Sequence, residues 1–524
     1  MIPPVRRTPP GGAGSSGRGA RVPRRRASSA LLLAALILLS LVRPPAAGAR
    51  YRFVEGDWIA WGDARTPHDF DVGRQVIYIA TDAGILRWER DENRWLFPWY
   101  SVPTSPDGGL LLEECRQVRE DPLTRDVYVR TARGWVVRDI ATLRWREVRP
   151  PEGMLAERLH LGRTPGLIPD RGLLMPDSYF LSPEGELQYR YVNWPSAGGV
   201  SDDRGTLVYG WKGFGVGIAD AYSKRLELYP AGPGPATALD VNGGEIWCAS
   251  VLDHEEGWVW RRDRSENRWR FYHPVLEWGL EPARVNRLRV AGKIAWMATS
   301  EGVMVLQGSS WRRFAKKEGL PRREIFDIAP YGDGAWAASE FGLAYIDLSR
   351  GVILHPDKEL YPEPRSAAFT QLAMDGDTLW AVGPGRLWRL DPTGTWREEA
   401  MPSTIALASR PTALLAAGGL LALGDTQGFA WRDSTGTWRQ VYNDLWGGSG
   451  AVFAIARHGG YFWLGTSRGL VKYDPVEGDA LPYREQDGLA GSMVFEIFPE
   501  GDWLWLGTDR ALVRFRWTVE GRID

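Results

Sequence analysis

A motif that recurs at an even interval constrains this chain more than any other feature. Tyr78-Ile-Ala-Thr-Asp-Ala-Gly84, Trp296-Met-Ala-Thr-Ser-Glu-Gly302, Trp336-Ala-Ala-Ser-Glu-Phe-Gly342 and Trp463-Leu-Gly-Thr-Ser-Arg-Gly469 share one pattern. An aromatic residue leads, a small residue stands two later, Thr or Ser three later and Gly six later. Tyr128 to Gly134 fits, Ala422 to Gly428 fits without the aromatic, and Trp505 to Ala511 loses only the last Gly. Trp247 and Trp380 keep the aromatic, Tyr209 to Gly215 is a weaker copy, and a unit near Leu174 is faint. From Trp247 onward the anchors recur every 40–49 residues. A fixed period of this length marks an array of identical supersecondary units.

Each unit reads as four short strands. Val452-Phe-Ala-Ile455 and Val494-Phe-Glu-Ile497 alternate with the period of two expected of a strand. The aromatic strand follows, then the Thr-x-x-Gly turn and a third strand such as Gly469-Leu-Val-Lys-Tyr473. A turn rich in Asp, Asn and Gly leads to the fourth, as in Asp391 to Trp396 and Asp433 to Trp438. Four antiparallel strands in about 40 residues describe a β-propeller blade. The expected fold is all-β: about eleven four-stranded propeller units, arranged as two rings or one large ring.

The tryptophans follow from the repeat. Of 27 in the chain, six lead the second strand, six begin the fourth and four lie in the third. Recurrence at equivalent places predicts packing between neighbouring blades rather than ligand binding.

Residues 319–343 carry a resemblance. They run from Gly319-Leu320-Pro321 through the strand Ile325–Ile328 to Trp336-Ala-Ala-Ser339 and Gly342-Leu343. Asp487-Gly-Leu489 through Trp505-Leu-Gly-Thr508 is another copy, as is Val452 to Leu470. This pattern resembles the two-component regulator propeller repeat, strongly after residue 285 and weakly between 150 and 245. Members of that family often form the extracytoplasmic sensing part of hybrid histidine kinases, commonly in carbohydrate response. No transmembrane, kinase or output segment follows the last repeat in this sequence. The resemblance therefore implies a stand-alone binding role rather than direct signalling.

Residues 1–49 read as a targeting segment. Arg21 and Arg24 to Arg26 precede an apolar run from Ala30 to Val42, and Ala46-Ala47-Gly48-Ala49 supplies small residues. A basic region, a short apolar stretch and an A-x-A site describe a secretory signal peptide. The expected location is extracytoplasmic, periplasmic or secreted, with an uncleaved anchor as the alternative. The whole chain has 64 Lys and Arg against 65 Asp and Glu. Residues 1–49 hold eight Arg and no acid, so the body carries 56 basic against 65 acidic groups, about −9. That charge disfavours nucleic acid as a partner. Residues 50–234 are assigned to divergent units plus a closing strand, and 235–524 to seven regular units. The last unit ends one strand short, and Tyr51 to Trp61 offers the missing strand.

The motif search supports no catalytic, cofactor or metal site. The six histidines are scattered without zinc spacing, and no nucleophile elbow or Cys-x-x-Cys occurs. His254 lies in an acidic insertion and reads as a hairpin tip. Cys115 and Cys248 fall in non-adjacent units and are expected as two buried thiols. Binding residues are sought on the rim formed by the second-to-third-strand turns and the links between units. Trp99, Trp194, Trp278 and Trp446 lie in links where the repeat requires no Trp, and Arg133, Phe341 and Arg468 occupy the variable turn position. Asp82, Glu301 and Arg510 stand at that turn position too. Aromatics beside charges suit a glycan or a protein partner. The function expected is a non-enzymatic ligand-binding or interaction scaffold, with a lyase or glycosidase using a central channel as the alternative.

Overall fold

The computed structural model describes residue 53 and residues 56–519, less 97, 100–113, 164–165, 167–171, 177–178, 190–191, 231, 252–256, 265–267, 273–282, 402–410, 434 and 449. Residues 1–49, read from sequence as a targeting segment, lie outside the described residues.

Strand pairing gives ten four-stranded sheets and one of three strands among the described residues, every named strand pair being antiparallel. We number them by residue: sheet 1 (67–95), sheet 2 (115–148), sheet 3 (179–194), sheet 4 (196–230), sheet 5 (238–272), sheet 6 (285–314), sheet 7 (327–354), sheet 8 (371–398), sheet 9 (413–442), sheet 10 (452–483) and sheet 11 (494–516 with 58–62). Sheet 3 departs from the four strands expected. Its strands are three residues long, and Pro176, Pro183 and Pro195 bracket them without an N–H to continue a ladder.

The Thr-x-x-Gly signature is a turn clamp. Thr81, Thr131, Thr299, Ser339, Thr466 and Thr508 each donate to the carbonyl three residues on, at 2.8–3.2 Å. Each hydroxyl also accepts the N–H two residues on, as at Glu301 and Arg468 (both 3.0 Å). In sheet 9 the carboxylate of Asp425 does this instead, accepting from Gln427 (2.7 Å) and Gly428 (3.0 Å). Gly302 shows why glycine ends the motif. Its φ is +114°, and a Cβ there would meet the Phe314 carbonyl oxygen at 2.2 Å.

The first strands of neighbouring sheets pack side by side. From sheet 5 to sheet 11 each first strand lies against the next, and that of sheet 11 lies against that of sheet 5. Separately, the first strand of sheet 1 lies between those of sheets 2 and 4. Inner-strand aspartates tie neighbours together: Asp69 accepts from Val118 N (3.0 Å), Asp240 from Val290 N (2.6 Å) and Asp327 from Leu372 N (2.7 Å). All six second-strand tryptophans are buried between sheets, and so are Trp145, Trp396, Trp88 and Trp431. The packing role expected of them is what the structure shows. This is β-propeller architecture.

Closure follows the sequence expectation. Trp58–Gly62 forms the outermost strand of sheet 11, pairing from Trp58↔Phe515 to Gly62↔Ala511. Sheets 1 to 4 therefore enter the chain as an insertion between that strand and sheet 5. Cys115 and Cys248 are buried on different sheets with no disulfide between them. Among the described residues, no helix is long and apolar enough to cross a membrane.

Candidate functional site

A group of buried and half-buried charged residues lies where the first strands of sheets 5 to 11 meet. Seven residues share one register there, each opposite the residue two past its repeat anchor. They are Ala238, Arg287, Asp327, Gln371, Ala413, Ala454 and Glu496. Arg287, Ala454 and Glu496 each follow a one-residue register shift in the first strand. Such bulges re-aim the next side chain.

Arg287 is the hub. Its Nε donates to Asp327 Oδ1 (3.1 Å), its Nη2 to Gln371 Oε1 (2.6 Å) and its Nη1 to Glu496 Oε1. Asp327 is the more constrained acid, since its oxygens also accept the Ile328 (2.8 Å) and Leu372 (2.7 Å) amides. One guanidinium therefore joins sheets 6, 7, 8 and 11 across the centre. One level away, Arg289 donates to the Leu288 carbonyl (2.8 Å) and approaches Glu496 Oε2 at 4.0 Å. Its side chain is 32% exposed, yet lost hydration and then repulsion from Arg287 lower its pKa. Burial raises the Asp240 carboxyl above the usual range, against the pull of Arg289 and the Val290 amide.

Chemically, this arrangement holds strands together. Each hydrogen-bonding nitrogen of Arg287 is engaged by an acceptor, and both acids are held by cations or amides. Among the described residues, no group of three or more His, Cys, Asp or Glu is placed to hold a metal.

The residues singled out from sequence do not form one surface. Trp99 is buried between sheets 1 and 2, stacked on Tyr78 at 5.6 Å and edge-on to Trp145 at 5.4 Å. Trp194 is buried against Phe214 (5.0 Å), and Trp446 lies in the core of sheets 9 and 10. These three cover the core rather than face solvent: an indole outside the repeat pattern still has a large apolar surface, which burial satisfies. Trp278 and His254 lie outside the described residues. Phe341 is 43% exposed with Arg322 over its ring at 4.1 Å. Arg133 and Arg468 are exposed on their turns, and Arg468 reaches the Gly448 carbonyl (3.4 Å). Glu301 pairs with Arg313 and Arg323, Arg510 with Glu485, and Asp82 with His68 at 2.5 Å. The Asp391 and Asp433 turns are exposed tips. Hydrogen bonds from Thr393 and Thr435 hold their carboxyls below the ordinary value.

The Arg287 group was not anticipated from sequence. Its one signal is a charged residue on an inner strand at the register where other units carry Ala, as at Ala413 and Ala454.

No protein-family model matches the chain, and no curated protein matches it. Among solved structures, it is similar to the extracellular domain of a putative hybrid two-component system from B. thetaiotaomicron. That likeness has 12% identity and a TM-score of 0.45, covering 88% of this chain and 65% of that one. It is similar to virginiamycin B lyase from Staphylococcus aureus (13% identity, TM-score 0.42, 54% of this chain and 94% of that one). A third likeness is to the Pan2 WD40 domain of Neurospora crassa (11% identity, TM-score 0.40, 55% of this chain and 90% of that one). The fold assignment rests on the strand pairing described above.

Proposed function

We propose that this protein is an extracytoplasmic, non-enzymatic β-propeller scaffold that binds a glycan or a protein partner. In this reading, residues 235–524 with the closing strand make a seven-bladed ring. Residues 63–234 make a smaller, incomplete ring of the same type, and the repeat belongs with two-component regulator propellers. The observation that carries the reading is the Arg287 hub. A channel enzyme needs titratable groups free to meet substrate. Here the central acids and cations are spent on one another, which favours a structural centre and a binding role for the loops.

The test is a glycan-array and pull-down screen on residues 50–524. A stable glycan or protein complex without turnover is expected. Turnover of a screened polysaccharide that is abolished by Asp327→Asn would overturn the scaffold reading in favour of a channel enzyme.

A further inference from the structure

The residue just before the central register divides sheets 5 to 11 into two kinds. In sheets 6, 10 and 11 it is the extra residue of the register shift: Asn286, Phe453 and Phe495. In sheets 7, 8 and 9 it is Phe326, Thr370 and Thr412, and each N–H donates to the carbonyl opposite the register position at 2.8–2.9 Å. These strands begin level with the Thr-x-x-Gly turns, as Val452↔Thr466 and Val494↔Thr508 show, so the position lies at the loop rim.

The polar residues at this position fasten neighbours. Asn286 Nδ2 donates to the Ile325 carbonyl (2.8 Å), Thr370 Oγ1 to Pro411 (2.9 Å) and Thr412 Oγ1 to Val452 (2.5 Å), each at the entry to the next sheet. Phenylalanine cannot make this bond. At Phe326, Phe453 and Phe495 the fold gives up a fastening and leaves an aromatic ring half-buried. Packing does not demand it, since Thr occupies the same backbone in sheets 8 and 9. A local rule broken where the same molecule keeps it elsewhere is where function is sought.

Phe453 and Phe495 stand on adjacent sheets with ring centroids 5.5 Å apart and planes at 36°, so they make one platform. The chain leading to each is held. Asp509 accepts Ser492 N (2.8 Å), Ser492 Oγ (2.9 Å) and Met493 N (2.9 Å), and Ser467 N donates to the Ala451 carbonyl (3.0 Å). One register inward, Gln371 gives its Oε1 to Arg287, while its Nε2 has no partner among the described residues. The central acids and cation are engaged with one another, and on the flanking turns Arg510 pairs with Glu485 at 3.8 Å. A charged ligand therefore gains no free counter-ion from the centre.

Aromatic faces beside an unspent amide donor suit a neutral sugar, whose C–H face covers the rings while a hydroxyl accepts from the amide. A wholly apolar ligand would cover Gln371 Nε2 and leave it without an acceptor. We propose that Phe453 and Phe495, with the Gln371 amide one register inward, form a subsite for one pyranose ring of a neutral glycan. The proposal rests on the scaffold reading above, chooses the glycan and places it.

The test is calorimetric titration of the protein with maltotriose, cellotriose, xylotriose and chitotriose, and with trigalacturonate as the charged control. At least one neutral trisaccharide should bind, and trigalacturonate should bind more weakly. Phe453→Thr/Phe495→Thr gives both positions the residue of sheets 8 and 9. It should lose about tenfold or more in affinity while its melting temperature holds or rises. Phe453→Ala/Phe495→Ala removes the rings without a new bond and should lose as much affinity. Failure of every neutral trisaccharide to bind overturns the proposal. Affinity unchanged in both variants overturns it too, leaving the glycan reading to another site. A protein captured through Phe453 and Phe495, with no sugar bound, overturns it in favour of a protein surface. Turnover of a bound trisaccharide that is lost in the Thr variant upholds the subsite and refutes the scaffold reading instead.

Discussion

Arg287 joins four sheets through one side chain, and that makes its removal costly. Asp327 is almost fully buried and Glu496 nearly so. Arg287→Met leaves Asp327 without its cation and Glu496 with only Arg289 at 4.0 Å, so a loss of about 3–5 kcal/mol is expected in denaturant unfolding. Adding Asp327→Asn and Glu496→Gln should restore much of it, since the stranded charges are then gone. An unchanged unfolding midpoint in Arg287→Met would show that the hub holds nothing. Asp71, on the first strand of sheet 1, makes a second residue-scale case. Burial pushes its carboxyl up to about 6 from 3.8, despite the Glu120 amide that it accepts at 2.8 Å. A raised folded value means that the neutral form is favoured in the fold. This contribution is full below pH 4 and is lost as the pH rises through about 6. Asp71→Asn should therefore stabilise the protein above pH 6, by up to about 3 kcal/mol at 1.36 kcal/mol per unit. It should have little effect at pH 4. Urea midpoints at the two pH values measure this, and equal effects at both would refute it. Neither residue stood out in the sequence. An Arg or Asp alternating with apolar neighbours in a strand reads as a solvent-facing position, and only the meeting of distant strands shows that it faces inward.

The strands themselves were legible because each unit repeats its own punctuation. A Thr hydroxyl, a Gly of positive φ and a leading aromatic are local requirements, so they survive in the sequence as a pattern. The closing strand was legible for a different reason: a last unit one strand short needs a partner, and residues 51–61 stand ahead of the first full unit to supply it. Aromatic contacts weld it in place. Trp58 stacks on Phe515 with ring centroids 3.9 Å apart and planes at 15°, and Trp61 stacks on Trp505 at 5.5 Å. Arg262 lies over the Trp61 ring at 5.2 Å. Trp58→Ala should lower stability by about 3–5 kcal/mol, and deleting residues 50–62 should lower the melting temperature sharply while opening the Ala511–Arg516 edge. A truncated protein that melts like the parent would disprove closure by this strand. Trp99, Trp194 and Trp446 lie outside the repeat pattern yet are buried, because links between units also need apolar cover.

At the scale of the molecule, sheets 1 to 4 and sheets 5 to 11 share a core. One continuous cluster includes Ile77 of sheet 1, Trp211 of sheet 4, Trp260 of sheet 5, Tyr483 of sheet 10 and Phe515 of sheet 11. Calorimetry should therefore record one cooperative transition for residues 50–524. Two well-separated transitions would mean that the sheets unfold as independent bodies. The period of the repeat announced the architecture, but not which sheets become neighbours. Sheet 4 returns to sheet 1 through contacts such as Arg90 with Asp202 (2.8 Å), and nothing local in either segment encodes that meeting. The position of the closing strand has a further effect on biogenesis. Trp58 is synthesised before any complete sheet and Phe515 after nearly all of them. At about 5–20 residues per second, the roughly 450 residues between them take on the order of 20–90 s to emerge from the ribosome. Throughout that interval the first strand has no partner. Its ladder is among the last contacts to become available, and Trp58 waits for Phe515 until synthesis is almost complete.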